Sequence, residues 1–597
     1  MAGGTVVERI HGNDYALLHV YGSWWFAGLW GMAAMVMIVM WARRKIWKRP
    51  AICLTHGFFL VILLGALLTT IIGQHSKTET ETETSTRQPT MERHSESQTE
   101  LLPLFLPPHR IYPAQKAGNP RTLPKESADK MGRMFVMYKG RVCPLQTLAK
   151  DFTTKLYGKA RHHGYTPEQV FSGWLFYYDD WVNEPIPKLQ KNLNRGKHRS
   201  ANEKIQIINM LQSGQWLKMF PHADSAQQVT WYSQNDPLPV DIPDDEVLFI
   251  RKQMSLCREY VRTGDWEALD DLFDKTKIYQ EKYALGHTQP LTQYRAERLY
   301  NRLTMGRWLP ITNITLGLIC FAIALIRLGK GQKLHKSIRQ AAMTWMSLLC
   351  AFLALIFTLR WIVGGHVPMA GSFDFMNLLA LSICIITLII TMVETHGRAS
   401  LQNTGINYEM ALPAGLLMTG VVLLVQMMGG ANPPVTQLMP ALSSPLLSLH
   451  VSVIIMAYAL IFFIMLNGIC AVAVRVSQPA NIAYLKRLQD ISTIMLYPAV
   501  ALLAAGIIIG AVWADIAWGN YWSWDPKEVW ALITLLVYAV PLHKTVWKSF
   551  QRPMFFHIYS ILAFLSVLIT YFGVNFLLGG MHSYSVILHS KFIILNS

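Results

Sequence analysis

The sequence predicts an all-α polytopic membrane protein with about ten transmembrane helices and one large, mostly helical external domain. Three observations predict it. Of 597 residues, 52% are hydrophobic and only 15% charged, too apolar a balance for a soluble protein of this length. Ten stretches are long and apolar enough to cross roughly 30 Å of hydrocarbon at ~1.5 Å per residue. The loops between them alternate in basic content, as loops on opposite membrane faces do.

The predicted spans are 23–41, 51–72, 309–326, 341–363, 373–393, 409–428, 450–474, 492–513, 529–543 and 555–578. Loops 42–50, 327–340, 394–408, 475–491 and 544–554 hold five, five, one, three and three Lys/Arg, whereas 364–372, 429–449, 514–528 and 579–597 hold only Lys527 and Lys591. The first set is expected on the cytoplasmic side and the second outside, which also puts the long polar segment 73–308 outside. That segment carries 33 Lys/Arg against 28 Asp/Glu. The overall charge of +17 is therefore mainly a topology signal, and a nucleic-acid footprint is not indicated.

Four regions follow: a membrane segment at 1–73, a linker at 74–130, an external domain at 131–308 and a second membrane domain at 309–597. Residues 1–22 lack the basic n-region of a cleavable signal peptide. Residues 74–100 form a Ser/Thr/Glu tract with no apolar face, which predicts disorder. A Pro-rich join follows at Pro103, Pro107, Pro108 and Pro113. Thr166-Pro167-Glu168-Gln169 reads as a capping box with proline at the first helical position, and Thr263–Tyr283 predicts another helix. The adjacent His162 and His163 would point apart on a helix and read as surface residues. No catalytic constellation stands out here, so docking or gating is the expected role. The seven cysteines, five of them within predicted spans, form no CxxC pair; neither a disulfide framework nor a thiol-redox site is indicated.

The densest chemical signal is WADIAWGNYWSWDPKEVW at 513–530, where Trp513, Trp518, Tyr521, Trp522, Trp524 and Trp530 put six large aromatic rings into eighteen residues. An interfacial aromatic belt is one reading, since Trp favours membrane boundaries. Asp525, Pro526 and Glu528 add a helix N-cap, a first-turn proline and a capping-box partner, while Gly519 permits a positive φ. Rings held rigidly beside a defined helix start make a slot for a flat apolar ligand, and the two readings stand level on chemistry alone.

The histidines sort by predicted topology. His450 opens span 450–474 and His582 follows span 555–578, both on the side of the Trp motif. His56 lies inside span 51–72 near its cytoplasmic start, and His543 ends span 529–543 on that same side. Imidazole is a strong axial ligand for haem iron, and an ionisable residue within a span is costly and commonly functional. His366, in a predicted external loop, and His335 and His396, in cytoplasmic ones, read as loop residues. Arg360, at the external end of its span, reads either as a carboxylate partner or as a snorkelling cation.

The run Trp518-Gly519-Asn520-Tyr521-Trp522-Ser523-Trp524-Asp525-Pro526-Lys527-Glu528-Val529-Trp530-Ala531-Leu532 resembles the tryptophan-rich "WWD" signature of haem-handling proteins. The segments 449–468, 537–543 and 570–584 resemble the CcsA/ResC branch, as does 360–375 more loosely; 23–30 and 52–69 resemble the ResB/CcsB partner. The chain is thus similar to a fused ResB–CcsA (CcsBA) synthase of the system II cytochrome c pathway. Two departures accompany the resemblance: the ResB family has a further spanning helix before the segment matched at 23, and a longer external domain.

The resemblance implies export of haem b as a transported substrate, followed by its thioether attachment to the CxxCH motif of apocytochrome c, a holocytochrome c synthase activity exercised within a complex. It implies His56 and His543 as an intramembrane pair of iron ligands and His450 and His582 as an external pair, with Trp522, Trp524 and Asp525 at the reacting end and Arg360 towards a propionate. A thioredoxin-like reductant and a thiol-reducing membrane partner would keep the substrate cysteines reduced. Other proteins with the signature export or chaperone haem without joining it to protein, which is the alternative function. A b-type electron carrier is a third class, disfavoured because an open slot does not suit a permanently buried haem.

Overall fold

The computed structural model describes residues 1–48, 53, 56–62, 65, 119–186, 198–224, 226–303, 306, 308–329, 332, 334–369, 371–396, 410–428, 433–435, 444–477, 479 and 481–578. The predicted linker up to residue 118, most of span 51–72 and His582 lie outside them. The protein is a mostly helical polytopic membrane protein. Among the described residues, seven of the predicted spans are helices long and apolar enough to cross a bilayer.

Helix α1 is Ala2–His11, and a short helical passage ending at Tyr21 leads into α2, Trp24–Arg43. The polar domain begins with α3 (Lys125–Arg133), the hairpin β1 (Phe135–Tyr138) and β2 (Arg141–Pro144), α4 (Leu145–Tyr157) and α5 (Pro167–Phe176). It continues with α6 (His198–Gln212), a second antiparallel ribbon of β3 (Phe220–Ala223) and β4 (Val229–Tyr232), α7 (Asp244–Thr263), α8 (Trp266–Tyr283) and α9 (Leu291–Arg302). Its core gathers Phe152, Phe171, Trp174 and Trp181 with apolar residues of α7 and α8.

The capping box at Thr166 forms as the sequence predicts, the Gln169 amide donating to the Thr166 hydroxyl. The helix expected at 263–283 starts instead at 266. Gly264 adopts φ 75° and ends α7, and Asp265 caps α8 by accepting from the Ala268 amide. Helix α7 itself was not anticipated, although its first turn carries Asp244, Asp245 and Glu246, the acidic start that a helix dipole favours.

The second membrane domain comprises α10 (Trp308–Gly329), α11 (Lys336–Gly364), α12 (Ser372–His396), α13 (Ala411–Met428), α14 (Pro445–Ser477), α15 (Ile482–Trp518), α16 (Pro526–Ala539) and α17 (Pro553–Leu568), which runs on as a wider π-helical stretch to Leu578. Helix α13 falls just short of the spanning length. Helix α16 has 14 residues and tightens into a 3₁₀ turn at Val540–His543, because Pro541 has no N–H to continue the α ladder.

Small residues let the helices approach. A Cβ at Gly317 would meet the Leu417 backbone at 2.6 Å, and one at Gly420 the Ile314 nitrogen at 2.8 Å, so α10 and α13 pack backbone to backbone. Gly506 and Gly510 on α15 instead make room for side chains of α14, those of Ile454 and His450, in the small-xxx-small spacing that membrane helices use.

The polar domain docks on the end of the bundle where α11 finishes and α12 starts. Arg360 donates to Asp374 at 2.5 Å, to the Tyr300 hydroxyl at 2.7 Å and to the Pro433 carbonyl at 2.8 Å. Glu297 accepts two bonds from Arg141 and one from Thr147, and Arg141 also donates to the Val435 carbonyl. By chain direction this is also the end that carries the start of α14, the finish of α15 and the start of α16.

Candidate functional site

The Trp motif is a connection between two helices whose ends are both locally fixed. Gly519, at φ 76°, returns its amide to the Asp515 carbonyl at 2.7 Å and stops α15. Six residues later Asp525 accepts from the Lys527 amide at 2.9 Å, while Glu528 accepts from the Asp525 amide at 3.2 Å and the Ser523 amide at 2.9 Å. Pro526 holds the first helical position. Trp524 sits between these ends at φ 59°, a left-handed conformation that costs a non-glycine residue about 1–2 kcal/mol. Such strain persists only where its surroundings over-determine it, and here two caps and a packed ring do so.

Trp522 and Trp524 are buried, with ring centroids 5.7 Å apart and planes at 89°. Both indole N–H groups are buried without a hydrogen-bond partner among the described residues. Trp513 is buried in a small cluster with Leu447 and Ala514, which ties the finish of α15 to the start of α14. Tyr521 is exposed. Trp530 donates to the Thr5 hydroxyl at 3.3 Å. Trp518 ends α15, but its side chain lies outside the described residues.

The sequence reading missed the contribution of residues 1–26. Tyr21 stacks on Trp524 at 5.0 Å with planes 7° apart, and Phe26 meets the same ring edge-on at 5.0 Å. Gly4 lets α1 close on Tyr21, since a Cβ there would lie 2.6 Å from its hydroxyl. Glu8 is brought beside Asp525 and Glu528; burial first, then those two carboxylates, raise its carboxyl to about 7. No local pattern announces these contacts, because they join the first residues of the chain to a loop near its end.

His450, one turn into α14, seats its ring in the space left by Gly510, with Nδ1 2.7 Å from the Gly506 carbonyl. A carbonyl oxygen can only accept, so Nδ1 is the donor, and in a neutral imidazole the lone pair is then on Nε2. His450 therefore stands at the Trp-motif end of the bundle. At the other end, His56 and His543 meet with ring centroids 5.9 Å apart and planes at 72°. His543 likewise directs Nδ1 to a carbonyl, that of Ala539 at 2.9 Å.

The remaining candidates take structural places. Of four donor contacts of the buried Arg360, two go to Asp374, one to the Pro433 carbonyl and one to Tyr300, the last joining the membrane domain to the polar domain. His335 caps α11 by accepting from the Ser337 amide, and His366 lies against the carbonyl of Val367. His557, which drew no attention in the sequence, is fully buried in α17 with Nε2 3.2 Å from the Leu485 carbonyl.

Residues 369–582, which include α14 to α17 and the Trp motif, match the family described as cytochrome C assembly protein. The chain is 34% identical over 264 residues to the cytochrome c biogenesis protein CcsA of Guillardia theta, covering 83% of that protein and 40% of this chain. The chain belongs to the CcsA-type cytochrome c assembly family. A CcsA of Prochlorococcus marinus (strain MIT 9301) is 33% identical over 305 residues, 93% of its length and 45% of this chain. Protein NrfI of Wolinella succinogenes is 26% identical over 511 residues. That match reaches over 77% of this chain, which spans about half, 55%, of NrfI. The C-terminal half is thus the cytochrome c assembly domain, and the Trp motif and His450 lie within it.

Proposed function

We propose that this protein takes up haem b between His56 and His543, passes it to the Trp-motif end of the bundle, and there directs its covalent attachment to CxxCH apocytochromes. The observation that carries the reading is the sorting of histidines to opposite ends: His56 and His543 have their rings together at one end, and His450 shares the other with Trp513, Trp522 and Trp524. The basic loops at the His56/His543 end make that end cytoplasmic on the positive-inside rule, so the route runs outward.

At the outer end His450, with His582, is read as holding the haem iron while the Trp motif positions the porphyrin edge. The aromatic faces exclude water, and the buried indole donors suit an oxygen-bearing periphery. The fused ResB-like character of the first membrane segment belongs to the same reading. Each substrate thiol S–H adds across one vinyl C=C, sulfur to one carbon and hydrogen to the other, with no net transfer of electrons. No nucleophile is therefore asked of this chain, whose part is orientation and iron ligation. The substrate thiols must arrive reduced, which calls for a thioredoxin-like reductant and a membrane partner that reduces it.

The test has two parts. The purified protein is expected to carry b-type haem with a six-coordinate reduced spectrum; a colourless preparation from haem-replete cells contradicts the reading. Co-expression with an apocytochrome in a host lacking its own pathway is expected to give haem staining that survives denaturing electrophoresis. Bound haem without such staining would make the protein an exporter instead.

A further inference from the structure

We propose that His162, His163 and Glu184 of the polar domain form a binding site for a divalent transition metal of the Zn²⁺/Cu²⁺ class, with one coordination position open to water. The site is separate from the Trp motif and from the histidines that the haem reading uses.

It begins with a backbone feature. After α4, residues His162–Tyr165 make a tight turn in which the Tyr165 amide donates to the His162 carbonyl at 2.9 Å. His163 and Gly164 have φ of 50° and 79°, the two consecutive left-handed residues of a type I′ turn. Glycine takes that conformation without strain, whereas histidine at the first position costs about 1–2 kcal/mol. The geometry compensates by overturning the helical expectation: the adjacent side chains converge instead of diverging.

They converge on Glu184. His163 Nε2 lies 2.9 Å and His162 Nε2 3.5 Å from the same Glu184 Oε2, and the three ligand atoms all lie within 4.8 Å of one another. A tetrahedral zinc site with bonds of ~2.0–2.1 Å has ligand–ligand edges of about 3.3 Å, which the two measured separations bracket. The His162 ring is fixed in plane by stacking on Tyr157 at 3.8 Å and 13°, and the Tyr157 hydroxyl is held by the indole N–H of the buried Trp174. His162 Nε2 is itself buried, and its long 3.5 Å approach to Glu184 does not amount to a satisfied hydrogen bond, a deficit that a ligated cation would make good.

Two imidazoles and a carboxylate select borderline metals over Ca²⁺ and Mg²⁺, which take oxygen donors. Three protein ligands leave the fourth position open. Bound metal would also tie the turn after α4 to the segment after α5.

The full-length protein in detergent is titrated with Zn²⁺ against a chromophoric chelator, and with Co²⁺ as a spectroscopic probe. Wild-type protein is expected to bind one more equivalent than the double variant His162→Ala/His163→Ala, and to give the intense visible bands of four-coordinate Co²⁺. Glu184→Gln, at a partly exposed site, is expected to weaken binding at least about tenfold while haem content and the metal-free melting temperature stay the same. Because other histidines also bind metals, the difference between proteins is the measured quantity. Equal stoichiometry and affinity in the wild type and both variants overturns the proposal, as does a wild-type Co²⁺ spectrum of the pale octahedral kind.

Discussion

Gly510→Ala tests whether His450 is held as an iron ligand by the groove in α15. The added methyl would lie 2.5 Å from His450 Cε1 and 2.7 Å from Nδ1, against an ordinary carbon–carbon contact of about 3.5–4.0 Å. The ring must therefore retreat by about 1 Å or more. Retreat breaks its 2.7 Å bond to the Gly506 carbonyl, a net loss of about 0.5–1.5 kcal/mol. Holding the ring in place against the methyl would cost about 1–3 kcal/mol of overpacking, so movement is the cheaper response and the helix pair should still form. The variant is expected to insert and fold, to lose the six-coordinate spectrum of the haem bound at the Trp-motif end, and to regain it on addition of imidazole. Gly506→Ala is the matched control, because the nearest atoms its methyl would meet are those of the Ile454 side chain. A native spectrum in Gly510→Ala, unchanged by imidazole, would refute the assignment of His450.

Three further outcomes are expected. Arg360→Ala removes one partner of a buried, multiply bonded ion pair and should destabilise the protein by about 3–5 kcal/mol, seen as a lowered melting temperature and faster proteolysis at 119–303; an unchanged melting curve would contradict the docking role. Glu8, raised from 4.5 to about 7 by burial and by Asp525 and Glu528, gives α1 docking that is strongest below about 4.5 and is lost as pH rises through about 7. Hydrogen exchange of residues 2–11 should accelerate over that interval, and Glu8→Gln should flatten the profile. Asp525→Ala deletes the cap of α16 at a cost of about 0.5–2 kcal/mol and should lower haem occupancy at the Trp-motif end without changing membrane insertion; normal occupancy would return the motif to an aromatic belt.

The sequence by itself determined the helical membrane class, seven of the spans and the helix caps. A helix in lipid must satisfy its own backbone polar groups, so apolar run length reports directly on structure, and 309–326, 341–363 and 373–393 emerge as helices close to their predicted limits. The caps at Thr166 and Asp525 are equally local, each needing only residues within three positions. Tertiary structure decided what those elements bring together. Tyr21 on Trp524, His56 beside His543, His450 against Gly510 and the Gly506 carbonyl, and Arg360 bonded to Tyr300 and Asp374 all join separate elements, and no periodicity encodes such partners. Arg360 shows the limit most plainly, since a lone charge at a span end suits a ligand, the interface or a neighbouring carboxylate, and only the packed fold selects Asp374. His162 and His163 show it from the backbone side: adjacent residues diverge on a helix, and the left-handed turn at His163 is what makes them converge.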